Sequence, residues 1–282
     1  WRRVSLFLLI KGKLMAKQER LDVLVVERGL CETREKAQKY IMAGMVLVND
    51  QKVDKAGTKI SVDSQLRLVG EPLPYASRGG FKLEEAFKRF PISMQDAVVV
   101  DLGASTGGFV DCALQNGAKR VYAVDVGYGQ LAWKLRTDER VVNMEKTNAR
   151  YLTPDDFPEL MDWMTTDVAF ISLTKILPAA YSILKENGSG VALIKPQFEA
   201  GRDKIGKNGV VRDPEVHEEV IGNILSFNEK LGFKTLGIVH SPIQGPQGNI
   251  EYLYWFTKDA SAESIDVDIK ALVRNTFADF SK

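Results

Sequence analysis

DLGASTGGF, residues 101–109, is the stretch of this 282-residue chain that decides its fold. It follows Ala97–Asp101, an apolar run typical of a buried strand, and it leads into a helical stretch at Gly107–Asn116. Glycines at such a turn let a ligand approach the backbone closely, and the N–H groups at the helix start are free to bind it. The spacing, GxxxGG, differs from the GxGxxG of dinucleotide-binding proteins, and no Gly-Lys-Ser/Thr of a phosphate-binding loop follows. The stretch therefore predicts a ligand site where the first strand of an α/β domain ends.

Strand-like and helical stretches alternate along residues 76–282. Further strands are expected at Val121–Val124, Trp163–Phe170, Val191–Lys195, Lys234–His240 and Ile250–Thr257. Further helices are expected at Leu131–Leu135, Leu173–Glu186 and Pro214–Leu231, with a terminal helix within Ala262–Phe280. This alternation favours an α/β fold with a doubly wound, mostly parallel sheet covered by helices on both faces. We expect its tryptophans, at positions 133, 163 and 255, to lie in the core.

The residues before this domain predict a small, separate α+β domain at 15–69. Gly29 ends a first helix, Thr33 caps a second, and Gly44 ends that one; short β segments follow. Residues 70–75 contain two prolines close together and are predicted to be a linker, because proline continues neither a helix nor a strand ladder.

Composition narrows the class of protein. A hydrophobic fraction of 45% is typical of a globular chain, and two cysteines and two histidines argue against a disulfide scaffold or a zinc site and fit a cytoplasmic location. Residues 1–75 hold 14 Lys/Arg against 9 Asp/Glu, a net +5, whereas the remainder holds 24 against 28, a net −4. The positive part hints at an anionic partner.

The apolar run in WRRVSLFLLIKGKL, residues 1–14, is too short to cross a bilayer, and we interpret this stretch as an upstream segment.

Four charged residues lie at the ends of separate elements: Lys82, Asp167, Lys195 and Glu251. Asp167 and Lys195 interrupt apolar strands, where an unpaired charge is costly. If the strands are neighbours in a doubly wound sheet, their ends meet in one crevice and the four charges neutralise one another. The alternatives are a purely structural ion-pair cluster or four unrelated charges.

The glycine stretch, with an acidic residue at the strand end before it, resembles the first motif of class I S-adenosylmethionine-dependent methyltransferases. By that resemblance, Asp125 in AVDVG accepts hydrogen bonds from the ribose hydroxyls of the cofactor, and Asn148 is a candidate adenine contact. The residues expected to bind S-adenosylmethionine are Asp101, Gly103, Ala104, Ser105, Thr106, Gly107, Asp125 and Asn148.

The order Lys-Asp-Lys-Glu resembles the catalytic tetrad of the FtsJ-like ribose 2′-O-methyltransferases, which implies a seven-stranded Rossmann-like sheet. Residues 20–53, RLDVLVVERGLCETREKAQKYIMAGMVLVNDQKV, resemble the S-four type RNA-binding domain. Charge alone favours a solvated face there, but the resemblance makes Arg20, Arg34, Lys36 and Lys39 candidate RNA contacts. Together the two domains resemble the TlyA (hemolysin A) family of ribosomal RNA methyltransferases, which implies methylation of a ribose 2′-hydroxyl, of cytidine in this family.

The resemblance also suggests roles for the tetrad. Lys195 would orient the 2′-hydroxyl or take its proton, Asp167 and Glu251 would orient the lysines, and Lys82 would hold the oxyanion or the neighbouring phosphate. In-line positioning against a sulfonium needs no metal. Glycine-rich, basic residues 199–213 form either a loop that meets RNA phosphates or a plain connection.

Three other functions are considered. A ribosome-associated RNA-binding factor with an inactive methyltransferase fold is disfavoured because the glycine loop and all four tetrad positions are intact. A haemolysin would need an amphipathic or membrane-spanning segment and a secretion signal, neither of which is convincing here. Methylation of a base amino group is disfavoured because DVAF, residues 167–170, stands where an Asn/Asp-Pro-Pro-Tyr type motif would be.

Overall fold

The chain divides into two compact units, residues 1–72 and 73–282. The computed structural model describes residues 17–70 and 73–281, so residues 1–14, which we interpreted as an upstream segment, lie outside the described residues. Within the described ranges, none of the helices is both long and apolar enough to span a membrane.

The N-terminal unit packs two helices against short antiparallel strands. Its elements are β1 (Gln18–Arg20), α1 (Leu21–Glu27), α2 (Arg34–Met42), β2 (Val46–Val48), β3 (Gln51–Lys52), β4 (Lys59–Ser61) and β5 (Leu66–Leu68). β1 pairs with β4, and β2 lies between β3 and β5. The predicted cap is present, because the Thr33 hydroxyl accepts a hydrogen bond from the Lys36 N–H at 3.2 Å. Gly29 and Gly44 have φ of +69° and +68°, the left-handed conformation that ends each helix.

The second unit is a seven-stranded sheet in the order β11-β12-β10-β9-β6-β7-β8. Its strands are β6 (Val98–Leu102), β7 (Arg120–Val124), β8 (Val141–Met144), β9 (Met161–Thr166), β10 (Leu184–Ile194), β11 (Lys234–His240) and β12 (Tyr252–Thr257). Only the β10–β12 and β11–β12 pairs of this sheet are antiparallel. The predicted fold class, a mostly parallel doubly wound sheet with a small α+β domain before it, is confirmed.

Helices cover both faces of this sheet. They are α3 (Gly80–Arg89), α4 (Gly108–Gln115), α5 (Trp133–Arg136), α6 (Leu177–Ile183), α7 (Pro196–Glu199), α8 (Pro214–Leu231) and α9 (Ile269–Phe280). Successive side chains of β6 point to opposite faces: Val98 and Val100 join the core under α6 and α8, whereas Val99 joins the core under α3 and α4. Because both faces are buried, the central strands are nearly continuous apolar runs.

Several predicted boundaries are wrong. The helix expected to reach Glu186 ends at Ile183, and the next residue already starts β10. β8 was not predicted, because a partly exposed edge strand of four residues carries too short an apolar signal. The strand expected to run to Phe170 stops at Thr166, so Asp167 follows a strand and does not interrupt it.

Candidate active site

A cavity of about 850 Å³ lies at the carboxyl ends of β6, β7 and β9. This edge is where ligands bind in doubly wound sheets, and the volume suits a cofactor together with part of a substrate. The N-terminal end of α3 forms one wall, and residues 243–245 together with Gln247 form another.

The glycine loop after β6 forms the floor of the cavity. Gly103 and Gly107 have φ of +86° and +93°, which side-chain-bearing residues rarely adopt. A Cβ on Gly107 would lie 2.2 Å from Cδ1 of Leu135, so the loop is packed tightly from behind as well. Seven of the eight predicted cofactor residues line the cavity: Asp101, Gly103, Ala104, Ser105, Thr106, Asp125 and Asn148. Gly107 does not line it and instead caps the start of α4.

Asp125 links the two loops that flank the cavity. Its Oδ2 accepts a hydrogen bond from the Ser105 N–H at 2.8 Å, and its Oδ1 accepts one from the Gly127 N–H at 2.6 Å. Each carboxylate oxygen has a second acceptor site, so ribose hydroxyls could still bind there. Asn148 is partly engaged, because its Oδ1 accepts from the N–H and Nε of Arg150 at 3.2 and 3.3 Å. Its side-chain NH₂ is the group left to meet a ligand.

Asp101 is almost completely buried at the end of β6, and its Oδ1 accepts a hydrogen bond from the Thr165 hydroxyl at 2.7 Å. Burial raises the pKa of this carboxyl to about 7, and the Thr165 hydrogen bond offsets only part of that effect. Asp101 therefore holds a proton part of the time at neutral pH, on the floor of the cavity.

The four charged residues form one connected cluster. Lys82 Nζ donates to Glu251 Oε2 at 2.7 Å and to Asp167 Oδ2 at 3.2 Å. Lys195 Nζ is ion-paired with Asp167 Oδ1 and also donates to the Asp167 carbonyl oxygen at 3.4 Å. The sheet register explains the convergence, because Ile194 of β10 pairs with Tyr252 of β12 and thereby places Lys195 beside Glu251 in the ladder.

Only part of the cluster lines the cavity. Lys82 and Asp167 line it, whereas Lys195 and Glu251 do not and are joined to them by ion pairs. Burial by itself lowers the pKa of Lys82, but the charges of Asp167 and Glu251 outweigh it, and the pKa of this ammonium lies above its ordinary value. Lys82 is thus firmly protonated. Within the described ranges, no group of three or more His, Cys, Asp and Glu side chains is placed to hold a metal ion.

Two residues of KPQFE, residues 195–199, support the cluster and were missed by the sequence analysis. Gln197 is buried, and its Nε2 donates to Glu251 Oε1 at 3.0 Å, so Glu251 is held on both oxygens. Glu199 accepts from the Ser172 hydroxyl at 2.6 Å and from the Leu173 N–H at 2.8 Å, which ties the segment after Asp167 to the segment after Lys195. Neither residue carries a signal in the sequence, because their partners, Glu251 and Ser172, lie far away in the chain.

The cavity rim carries further residues that the sequence did not single out. Phe170 is 90% exposed with a φ of +63°, and its ring centroid lies 5.0 Å from that of Phe198. Arg78 is an exposed guanidinium on the rim, just before α3. The expectation that Trp133 lies in the core is wrong: it is 75% exposed, because α5 is a single turn that buries Leu135 instead.

Of the predicted RNA contacts in the N-terminal unit, Arg20 ends β1 just before α1, and Arg34, Lys36 and Lys39 lie on α2. Arg20 and Arg34 both bind Asp22, at 2.9 and 3.0 Å. Lys36 pairs with Glu32 at 3.2 Å, one turn away on the same surface, and Lys39 is exposed in the last turn of α2. The structure therefore groups Arg20 with Arg34 and leaves the two lysines outside that pair.

Fold and site together define a class: a methyltransferase whose Rossmann-like sheet presents a glycine loop, a carboxylate after the second strand and a Lys-Asp-Lys-Glu cluster at one cavity. Comparison with known proteins agrees. Residues 75–258 match the model of the FtsJ-like methyltransferase family, and residues 19–66 match the S4 domain.

Three similar proteins cover most of the chain. “Putative rRNA methyltransferase YqxC” of Bacillus subtilis is 58% identical over 84% of this chain and 85% of its own length. “16S/23S rRNA (cytidine-2′-O)-methyltransferase TlyA” of Mycobacterium tuberculosis is 40% identical over 86% and 90%. The solved structure of a “Putative hemolysin from Streptococcus thermophilus” is 49% identical, covers 94% of this chain and 97% of its own, and superposes with a TM-score of 0.74. The chain belongs to the FtsJ-like methyltransferase family and, within it, to the TlyA (hemolysin A) group.

Proposed function

We propose that this protein methylates a ribose 2′-hydroxyl of ribosomal RNA, that of a cytidine, with S-adenosylmethionine as the methyl donor. The observation that carries the proposal is the connected cluster of Lys82, Asp167, Lys195 and Glu251 beside the glycine loop. The relative from M. tuberculosis is named for this reaction on rRNA cytidine. Ribosomal RNA as substrate also implies a cytoplasmic location.

The cofactor side of the cavity suits a nucleoside with a charged tail. Asp125 offers carboxylate oxygens to a ribose, and Asn148 offers a side-chain amide to a base. The loop before α4 offers backbone N–H groups as hydrogen-bond donors. The glycines at positions 103 and 107 let a ligand approach the backbone of this loop closely. When bound, S-adenosylmethionine supplies a methyl group on a positively charged sulfur, so the protein's task is to align the acceptor oxygen with it.

The cluster supplies the polar groups for that alignment. Lys82 remains protonated between two carboxylates and is suited to hold a developing oxyanion or a neighbouring phosphate. Lys195 is held by Asp167, and we assign it the role of orienting the 2′-hydroxyl or taking its proton. Since Lys195 does not line the cavity and is paired with Asp167, this role requires the Asp167–Lys195 pair to open or rotate toward the bound sugar.

The N-terminal unit supports an RNA substrate. Four positive charges lie close together in the sequence of this unit: Arg20 just before α1, and Arg34, Lys36 and Lys39 on α2. We propose that these residues bind RNA phosphates, which fix position without reading sequence. A haemolysin and an inactive RNA-binding factor are not favoured.

Labelled methyl transfer to unmodified ribosomal subunits tests the function. The wild-type protein should place label in rRNA at a position that then resists alkaline cleavage, the signature of a blocked 2′-hydroxyl. Lys195→Ala should abolish transfer while calorimetry still shows cofactor binding, and Lys230→Ala, at an exposed lysine of α8, should transfer normally. Label in a base, with cleavage unaffected, would overturn the 2′-O assignment, and full turnover by Lys195→Ala would remove Lys195 from its role. Asp125→Ala should weaken cofactor binding, and unchanged affinity would contradict that contact.

A further inference from the structure

The N-terminal unit contains a buried carboxylate that binds three different side chains. Asp22, in the first turn of α1, is 0% exposed. Its Oδ1 accepts from Arg20 Nε at 3.0 Å. Its Oδ2 accepts from Arg20 at 2.9 Å, from Arg34 at 3.0 Å and from Gln38 Nε2 at 2.8 Å. These hydrogen bonds, that from Arg20 above all, hold the pKa of Asp22 well below its usual range.

Arg20 and Arg34 are both held by Asp22, yet both side chains remain partly exposed to solvent. Their side chains remain 44% and 54% exposed although both are bound to Asp22. One terminal nitrogen of each lies within about 3 Å of the same carboxylate oxygen, so the two guanidinium groups can be no more than about 6 Å apart at those atoms. Each guanidinium has five N–H donors, and Asp22 uses two from Arg20 and one from Arg34, which leaves donors on both for another anion.

A fixed pair of this kind suits a phosphate. The planar guanidinium matches phosphate geometry with two parallel hydrogen bonds, and the pair has a net charge of +1 after Asp22 is counted. Free arginines would lose rotamer freedom on binding, whereas these have lost much of it already. Gln38, one turn along α2 from Arg34, also donates to Oδ2 of Asp22 and so helps to fix the carboxylate without adding charge.

We propose that Asp22 is a positioning residue for RNA binding: it holds Arg20 and Arg34 as a preorganised pair that clamps a backbone phosphate of the ribosomal RNA. The inference rests on the proposed RNA substrate. Asp22 itself bears the wrong charge to touch the phosphate and acts only through the two arginines.

A single substitution separates this idea from simple electrostatics. Asp22→Asn removes a negative charge beside two arginines, so charge alone predicts tighter RNA binding. Preorganisation predicts weaker binding: we expect the Kd for deproteinised ribosomal RNA to rise about tenfold at 0.1 M KCl. We also expect the slope of log Kd against log salt concentration to decrease by about the amount that one lost phosphate contact contributes. Glu27→Gln, at an exposed position of α1, makes the same change in charge and should bind no more weakly than wild type.

Catalysis gives a second measurement that a merely structural role would not move. With Asp22→Asn, KM for RNA should rise while kcat at saturating RNA and cofactor affinity stay at wild-type values. Equal or tighter RNA binding by a folded Asp22→Asn protein, with an unchanged salt slope, would overturn the proposal. If circular dichroism shows that this variant does not fold, Gln38→Met decides, since it keeps every charge; it should weaken RNA binding about threefold, and unchanged affinity would overturn the proposal.

The double variant Arg20→Gln/Arg34→Gln distinguishes RNA binding by the two arginines from their positioning by Asp22. If it binds RNA as well as wild type, this face does not contact RNA and the proposed RNA-binding role of these arginines fails. If it binds weakly but Asp22→Asn does not, the arginines contact RNA and only the positioning role of Asp22 fails.

Discussion

Asp101 should make the methyltransferase unit less stable as the pH rises, and Asp101→Asn should remove that dependence. The folded-state pKa of about 7 lies above the ordinary value of 3.8. Between those two values the folded protein therefore binds more protons than the unfolded chain, so the free energy of unfolding falls as pH increases. At about 1.4 kcal/mol for each pH unit between these two pKa values, the free energy of unfolding falls by ~4 kcal/mol between pH 4 and pH 8.

Asparagine tests this value with little change of shape. Its amide oxygen can accept the Thr165 hydrogen bond, and it carries no charge at any pH. The stability of Asp101→Asn relative to wild type should therefore increase by about 4 kcal/mol from pH 4 to pH 8. A buried group that destabilises the fold while facing a ligand cavity is a known trade between stability and function.

Urea unfolding followed by tryptophan fluorescence measures the effect without a ligand. Trp133, Trp163 and Trp255 all lie in the methyltransferase unit, so the signal reports mainly on its unfolding. Asp96→Asn, at an exposed carboxylate just before β6, is the matched control and should change little with pH. A difference between Asp101→Asn and wild type that varies by less than 1 kcal/mol over this range would refute the reasoning, because it would mean that Asp101 is ionised in the folded protein.

Three further substitutions test the packing around the cavity. Gly107→Ala should destabilise the unit by about 2–5 kcal/mol, from left-handed strain and the contact with Leu135, measured by urea unfolding; a loss below 1 kcal/mol would contradict the tight packing. Lys82→Met should lower the free energy of unfolding by about 3–5 kcal/mol, because it leaves Glu251 buried without its cation. Adding Glu251→Gln should restore part of this stability. If the effects of the two substitutions simply add in the double variant, the two residues do not interact. Gln197→Met should lower kcat about tenfold with cofactor affinity unchanged, because Glu251 loses a donor; wild-type kcat would show that this hydrogen bond is dispensable.

The sequence predicted local structure correctly where the backbone at one position requires a particular type of residue. The glycine loop was recognisable because Gly103 and Gly107 adopt backbone conformations that few other residues tolerate. Thr33 was recognisable as a cap because it must satisfy a free N–H at the start of α2. Trp133 was misjudged because hydrophobic residues are usually buried, while whether a given one is buried depends on what packs over it.

The role of Gln197, in contrast, could not be predicted from the sequence. A glutamine after a lysine and a proline carries no signal of its own, and its role appears only when Glu251, 54 residues away, is placed beside it. The link between Glu199 and Ser172 was hidden in the same way, because their partnership spans two strands of the sheet.

Most strands and helices in their order, the loop that faces the cavity and the identity of the four charged groups could be predicted from the sequence itself, because alternation, glycine and isolated charges in apolar surroundings each have a local physical meaning. The pairing within the cluster was decided only by the tertiary structure. Glu251, Lys195 and Asp167 come together because β12, β10 and β9 are neighbours in a fixed register, and Lys82 of α3 pairs with both carboxylates. Which lysine faces the cavity, and which carboxyl on its floor holds a proton, depends on burial and distance, and those arise only when segments far apart in the chain pack together.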